Sequence, residues 1–220
     1  MGMVLYILMG FLDVMAVLTL VFKLFRFPIG EYRKEFVNIA LTLSCSSYIL
    51  RDVLGVPDVD MSIQFILFAL FFRYLLRFRT FETLMLTTIG FLGFSLVQLV
   101  MIPLMSTIGI ISLSDLELSH GSGIFLFQLI TDLMVFLISY LLYKFHLGFS
   151  FVMCPPHEVT FKSRYDLLSL SGIMAGSLGI FAAMYIAMNY FERIHILTVT
   201  MLISFLLLIV ASHKKERDDH

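Results

Sequence analysis

Seven apolar stretches of this chain read as bilayer spans, the third of them short because Arg73 interrupts it, and no other feature constrains its fold as strongly. They run over Met3–Phe22, Phe36–Leu54, Met61–Leu76, Thr83–Met105, Gly123–Tyr143, Leu167–Asn189 and Ile194–Ser212. A spanning helix needs about 20 apolar residues, because the hydrocarbon core is about 30 Å thick and a helix rises about 1.5 Å per residue. Backbone groups cannot stay unpaired in lipid, so each run must close its own hydrogen bonds as a helix. Barrel strands are excluded, since the runs are about twice strand length and lack period-two alternation. The expected fold is all-α, a polytopic membrane bundle of seven transmembrane helices.

Composition agrees. Of 220 residues, 60% are hydrophobic and 14% charged, against about a quarter charged in soluble domains. Disordered chains and nucleic-acid binders with a basic face are excluded. Seven spans take about 140 residues. The expected organisation is a transmembrane domain over residues 1–212 and a short charged cytoplasmic tail over 213–220. Cys45 lies in an apolar run and Cys154 in a polar loop, so no disulfide framework is expected.

Lysine and arginine set the direction. Thirteen of fifteen fall between spans one and two, at the end of span three and in the loop after it, between spans five and six, and in the tail. Only Arg51 and Arg193 fall on the other side. The basic side is cytoplasmic. This places the N-terminus outside and the C-terminus inside, in a multi-pass protein of the cell membrane. A signal peptide is not expected, because no basic residue precedes the first run and no small-x-small site follows it. Asp52, Asp58, Asp60, Asp115, Glu117 and Glu192 give the outer face a net charge of about −4 against its two arginines, a weak attraction for cations at physiological salt. The outer loop Ser106–Ser122 is rich in Ile and Leu and is expected to lie on the membrane or over the bundle mouth.

Two acids sit mid-span, Asp13 in the first and Asp132 in the fifth. Each costs about 2.5–3.5 kcal/mol to insert, which the surrounding Leu, Ile, Val and Phe offset. They are expected to face the bundle interior, as ligand or ion-pathway groups or as hydrogen-bonded structural links. Arg73 is expected to snorkel inward or to pair with one of them. Gln64, Gln98 and Gln128 are expected to bond between helices, and Gln98 and Gln128 join Asp13, Asp132 and Arg73 as pathway candidates.

Enzymatic signatures are missing. His146, Cys154 and His157 fit no zinc spacing, so neither metal nor cofactor is expected. His120-Gly121-Ser122-Gly123 lacks the glycine two before serine that rhomboid proteases need. The last span has no lysine for a retinal Schiff base. Spans one, two, five and six lack the prolines of SWEET-type transporters, and Cys154 precedes His157, opposite to the Agr-type peptide protease. No enzyme is expected.

Seven short-looped spans followed by the charged segment Ala211–His220 resemble the sensor half of Agr-type quorum-sensing histidine kinases, with the kinase domain absent. The segments LFRFPIGEY and HLGFSFV resemble uncharacterised membrane proteins of Gram-positive bacteria. The resemblance implies a kinase-less sensory or accessory protein that binds a small extracellular signal, such as a modified peptide or small apolar ligand. Its output would pass through a histidine kinase or transporter partner. A small transporter with Asp13 and Asp132 on its pathway is the alternative expectation. Spans one, three and five also share basic and aromatic ends (FKLFRF, RYLLRFRTF, LYKFHLGF), which snorkelling explains without an internal repeat.

Overall fold

The computed structural model describes residues 3–109, 122–150 and 194–218. Among these residues the chain is all helical: α1 (Met3–Leu24), α2 (Arg33–Tyr48), α3 (Pro57–Tyr74), α4 (Thr80–Ile108), α5 (Ser122–Lys144) and α6 (Ile194–Asp218). Three stretches, Met3–Leu24, Thr80–Ile108 and Gly123–Lys144, are long and apolar enough to cross a membrane. The expected sixth span, most of the loop Ser106–Ser122, and the Cys154–His157 loop lie outside the described residues.

The shorter helices have local reasons for their length. A π-turn over Ile49–Val53 continues α2, so residues 33–53 form one helical run of about 30 Å. Pro57 starts α3 at a first-turn position that needs no N–H. This brings Asp60, expected in an outer loop, inside the helix. At the start of α4, Glu82 accepts the Arg79 backbone N–H at 3.3 Å, a carboxylate at the positive helix end. The last helix does not stop at Ser212 but carries the first charged tail residues to Asp218.

Helix α1 is the hub, packed against α2, α5 and α4, while α4 also meets α3, α5 and α6. The close approach of α1 and α4 depends on a missing side chain. A Cβ on Gly90 would lie 2.5 Å from Val21 Cγ2, where a larger residue forces the helices apart.

Helices α1, α3 and α5 share an ending. Arg26, Arg77 and His146 follow them with φ of 55°, 61° and 52°, the left-handed conformation that closes helix C-termini. After α1, Arg26 and Phe27 donate N–H groups to Lys23 O and Phe22 O. After α5, His146 and Leu147 donate to Tyr143 O and Leu142 O. Both pairs have the Schellman pattern. After α3, Phe78 donates to Phe72 O, one residue wider. The shared basic–aromatic ends are thus a repeated backbone device as well as a snorkelling pattern.

These ends are tied together. Arg26 Nη2 donates to His146 O at 2.6 Å, and Lys23 Nζ sits 4.0 Å above the Tyr143 ring. Phe149 N donates to Leu24 O at 2.7 Å, an approach allowed by Gly148 at φ 139°. Aromatic rings fill the same end. Phe22 meets Phe27, Tyr32 and Phe36 edge to face at centroid distances of 5.4, 5.5 and 4.6 Å. From Phe27 the column continues through Phe78, Phe72 and Phe68 to Phe91.

Candidate functional site

The opposite end of the bundle is hollow. A cavity of about 300 Å³ lies among α1–α5, beside the beginnings of α1, α3 and α5 and the ends of α2 and α4. Phe68 and Phe91, the last rings of the aromatic column, form part of its wall. The cavity therefore occupies one half of the bundle, and packed rings close the other.

Its rim holds a charged network that joins three helices. Arg51 Nε donates to Asp60 Oδ2 at 2.5 Å, and Ser47 Oγ donates to the same oxygen at 2.9 Å. Tyr6 Oη lies 3.3 Å from Ser47 Oγ, and since the serine donates to Asp60, the tyrosine donates to the serine. Gln64 Nε2 lies 3.2 Å from Asp60 Oδ1, 3.0 Å from Ser46 Oγ and 3.1 Å from Leu43 O. Asp60 is 2% exposed and the Arg51 side chain 49%, so the carboxylate is inside and the guanidinium reaches outward. Such a pair persists because hydrogen bonds satisfy the remaining carboxylate oxygen.

The deep wall carries the two mid-span acids. Asp13 and Asp132 each stand ten residues into their helices, about 15 Å from the start. Helices α1 and α5 begin at the same end and pack together, so these equal depths bring the carboxyls side by side. Gln128, one turn before Asp132, donates from Nε2 to Asp13 Oδ2 at 2.5 Å. Asp13 Oδ1 and both oxygens of Asp132 are buried and accept no hydrogen bond among the described residues. Asp132 is 1% exposed and lies behind Asp13, which faces the cavity.

Four of the five sequence candidates meet here. Asp13, Gln98 and Gln128 line the cavity and Asp132 backs Asp13. Arg73 does not join them. It sits in the last turn of α3, at the closed end, and donates from Nη1 to Phe78 O at 2.9 Å. Of the two expectations for Arg73, the pairing with Asp13 or Asp132 is not met, and the side chain stays at the helix end where the snorkelling reading put it. Gln64 and Gln128 bond between helices as expected. Sequence reasoning assigned Arg51 and Asp60 to loop charge and gave no role to Tyr6 or Ser47. The available signal was an arginine on the basic-poor side, nine residues before an acid in the next helix.

Among the described residues, no three His, Cys, Asp or Glu side chains come together to hold a metal. Comparison with protein-family models, curated proteins and solved structures gives no match.

Proposed function

We propose that this chain is a multi-pass sensory or accessory protein of the cell membrane. It takes a small solute from the outer side into the cavity and acts through a partner protein. The observation that carries this reading is the cavity's position. It sits at the end of the bundle where, among the described residues, Arg51 is the only Lys or Arg between residues 3 and 150. The closed end carries Lys23, Arg26, Arg33, Lys34, Arg77, Arg79 and Lys144, and this basic excess supports reading that end as cytoplasmic. A solute that fills the hollow half contacts five helices at once. It can therefore bias their packing and the conformation of the closed end without crossing.

The test is cysteine labelling in cells, with Cys45 and Cys154 replaced by serine. A membrane-impermeant maleimide should label Ser47→Cys in intact cells. It should reach Phe145→Cys, on the closed end, only after permeabilisation. The reverse pattern overturns the orientation and the reading with it.

A second reading, a small transporter, is favoured by the buried and incompletely bonded Asp13–Asp132 pair beneath the cavity. It requires solute flux in proteoliposomes that Asp13→Asn and Asp132→Asn abolish without loss of folded protein. Unchanged flux in both variants removes it.

A further inference from the structure

We propose that the cavity selects an organic cation, an ammonium group carried on an apolar body. The inference rests on the reading that the cavity takes a solute, and it names the class of that solute.

Charge comes first. Asp13 lines the deep wall with Asp132 directly behind it, and apart from the contact between these two carboxyls three of their four oxygens accept no hydrogen bond among the described residues. Gln128 serves only Asp13 Oδ2. Arg51, the cation on this half of the described bundle, is engaged by Asp60 at the rim. Buried carboxyl oxygens without donors are costly, and a group that brings positive charge and N–H or C–H donors offsets that cost. An anion would meet Asp13 at close range. An uncharged hydroxyl or amide could donate to these oxygens but would bring no charge to offset the carboxyls.

The rest of the wall supplies the second half of the recognition. Phe68, Phe91, Phe94, Phe125 and Phe127 line the same cavity as Asp13. Aromatic faces attract alkylammonium and quaternary ammonium groups, more strongly when water is excluded. The same rings accept an apolar body. At about 300 Å³ the space is at the small end of ligand cavities, which limits the occupant to a small molecule or one end of a larger one. An inorganic cation would use the carboxyls and make no use of the rings.

The experiment measures binding to the purified full chain in detergent by calorimetry. The probes are choline, benzyltrimethylammonium and 3,3-dimethyl-1-butanol, the uncharged isostere of choline. Both cations should bind, and the isostere at least about tenfold more weakly than choline. Asp13→Asn should weaken both cations by about tenfold or more, with thermal unfolding used to confirm the fold. Phe94→Leu should weaken them severalfold, and Phe94→Tyr should restore them. Should Asp13→Asn fail to fold, Asp132→Asn and the Phe94 pair carry the test.

Equal binding of choline and its isostere overturns the proposal. So does cation binding that is unchanged in the folded carboxylate variants, or competed away by sodium while indifferent to Phe94→Leu. If Ser47→Cys is labelled from outside yet neither cation binds, the cavity reading stands and the organic-cation proposal falls. If the labelling is reversed, the cavity reading itself falls.

Discussion

Gln128 donates a hydrogen bond to Asp13 at 2.5 Å, across 115 positions of sequence, and so ties the middle of α5 to the middle of α1. Hydrogen bonds between membrane helices are worth about 0.6 kcal/mol on average and rarely above about 1.7, because the separated helices find other partners. A carboxylate acceptor belongs at the upper end. Gln128→Leu should therefore destabilise the protein by about 1 kcal/mol, read from denaturant unfolding in micelles. Combined with Asp13→Leu, the two changes should fall short of additivity by a similar amount. Additivity within about 0.3 kcal/mol would show that the bond contributes nothing.

The same pair shows how far the sequence carried. Each acid was visible as a charge in the middle of an apolar run, and so was the need to face inward. Their meeting was not visible, because hydropathy does not say which spans are neighbours. The antiparallel order required by short loops places α1 and α5 in the same direction, and ten residues from each start is the same depth. Adjacency comes from packing, through Ala16 and Leu20 against Val135 one turn further along. Asp60 was missed for a different reason. Hydropathy ends a span at the first charge, whereas the helix begins at Pro57 and carries the acid inward to meet Arg51. The π-turn that presents Arg51 has no signature in hydropathy at all.

Asp60 accepts from Arg51, Ser47 and the Gln64 amide, so its replacements should separate hydrogen bonding from charge. Asp60→Asn keeps an acceptor oxygen and should cost about 1 kcal/mol. Asp60→Leu leaves the Ser47 hydroxyl without its acceptor and removes the partner of the half-exposed Arg51, while Gln64 keeps Leu43 O and Ser46 Oγ. It should cost about 2–3 kcal/mol. Equal losses in a melting series of the two variants would mean that the network is held by shape alone.

Gly148 stands at φ 139°, where a side chain is strained, and its Cβ would lie 2.5 Å from Leu24 O. That oxygen accepts the Phe149 N–H that joins the end of α5 to the end of α1. Gly148→Ala should break this junction and lower stability by about 1–3 kcal/mol. Gly30→Ala is the control, since its Cβ would meet nothing within 4 Å. It should stay within about 0.5 kcal/mol of the parent. Similar thermal shifts in the two variants would refute the role given to Gly148.

Arg77 holds a left-handed φ of 61° in the turn after α3, a conformation that costs an L-residue about 1 kcal/mol or more. Arg77→Gly should remove that cost and raise stability by up to about 1 kcal/mol. Arg77→Val, β-branched, should lower it. The order Gly, Arg, Val in unfolding midpoint is the expected result. A midpoint for Val at or above that of Gly would mean that the left-handed turn is not maintained in the membrane.

Phe22 is fully buried where three rings converge, Phe27, Tyr32 and Phe36, and it anchors the column that separates the cavity from the loops of the closed end. Removing a buried phenyl ring costs about 3–5 kcal/mol when the surroundings do not collapse. Phe22→Ala should therefore leave a void in the plug, whereas Phe22→Leu should retain most of the packing. Ser95 lines the cavity and its hydroxyl is buried, which makes Ser95→Cys a reporter of access from the closed side. In inverted vesicles, with both native cysteines replaced, that thiol should resist an impermeant reagent in the parent and in Phe22→Leu. It should react in Phe22→Ala at temperatures where the fold is retained. Reaction at the same rate in all three would mean that the aromatic column does not seal the inner half. The cavity would then be one vestibule of a continuous path, which is the arrangement the transporter reading needs.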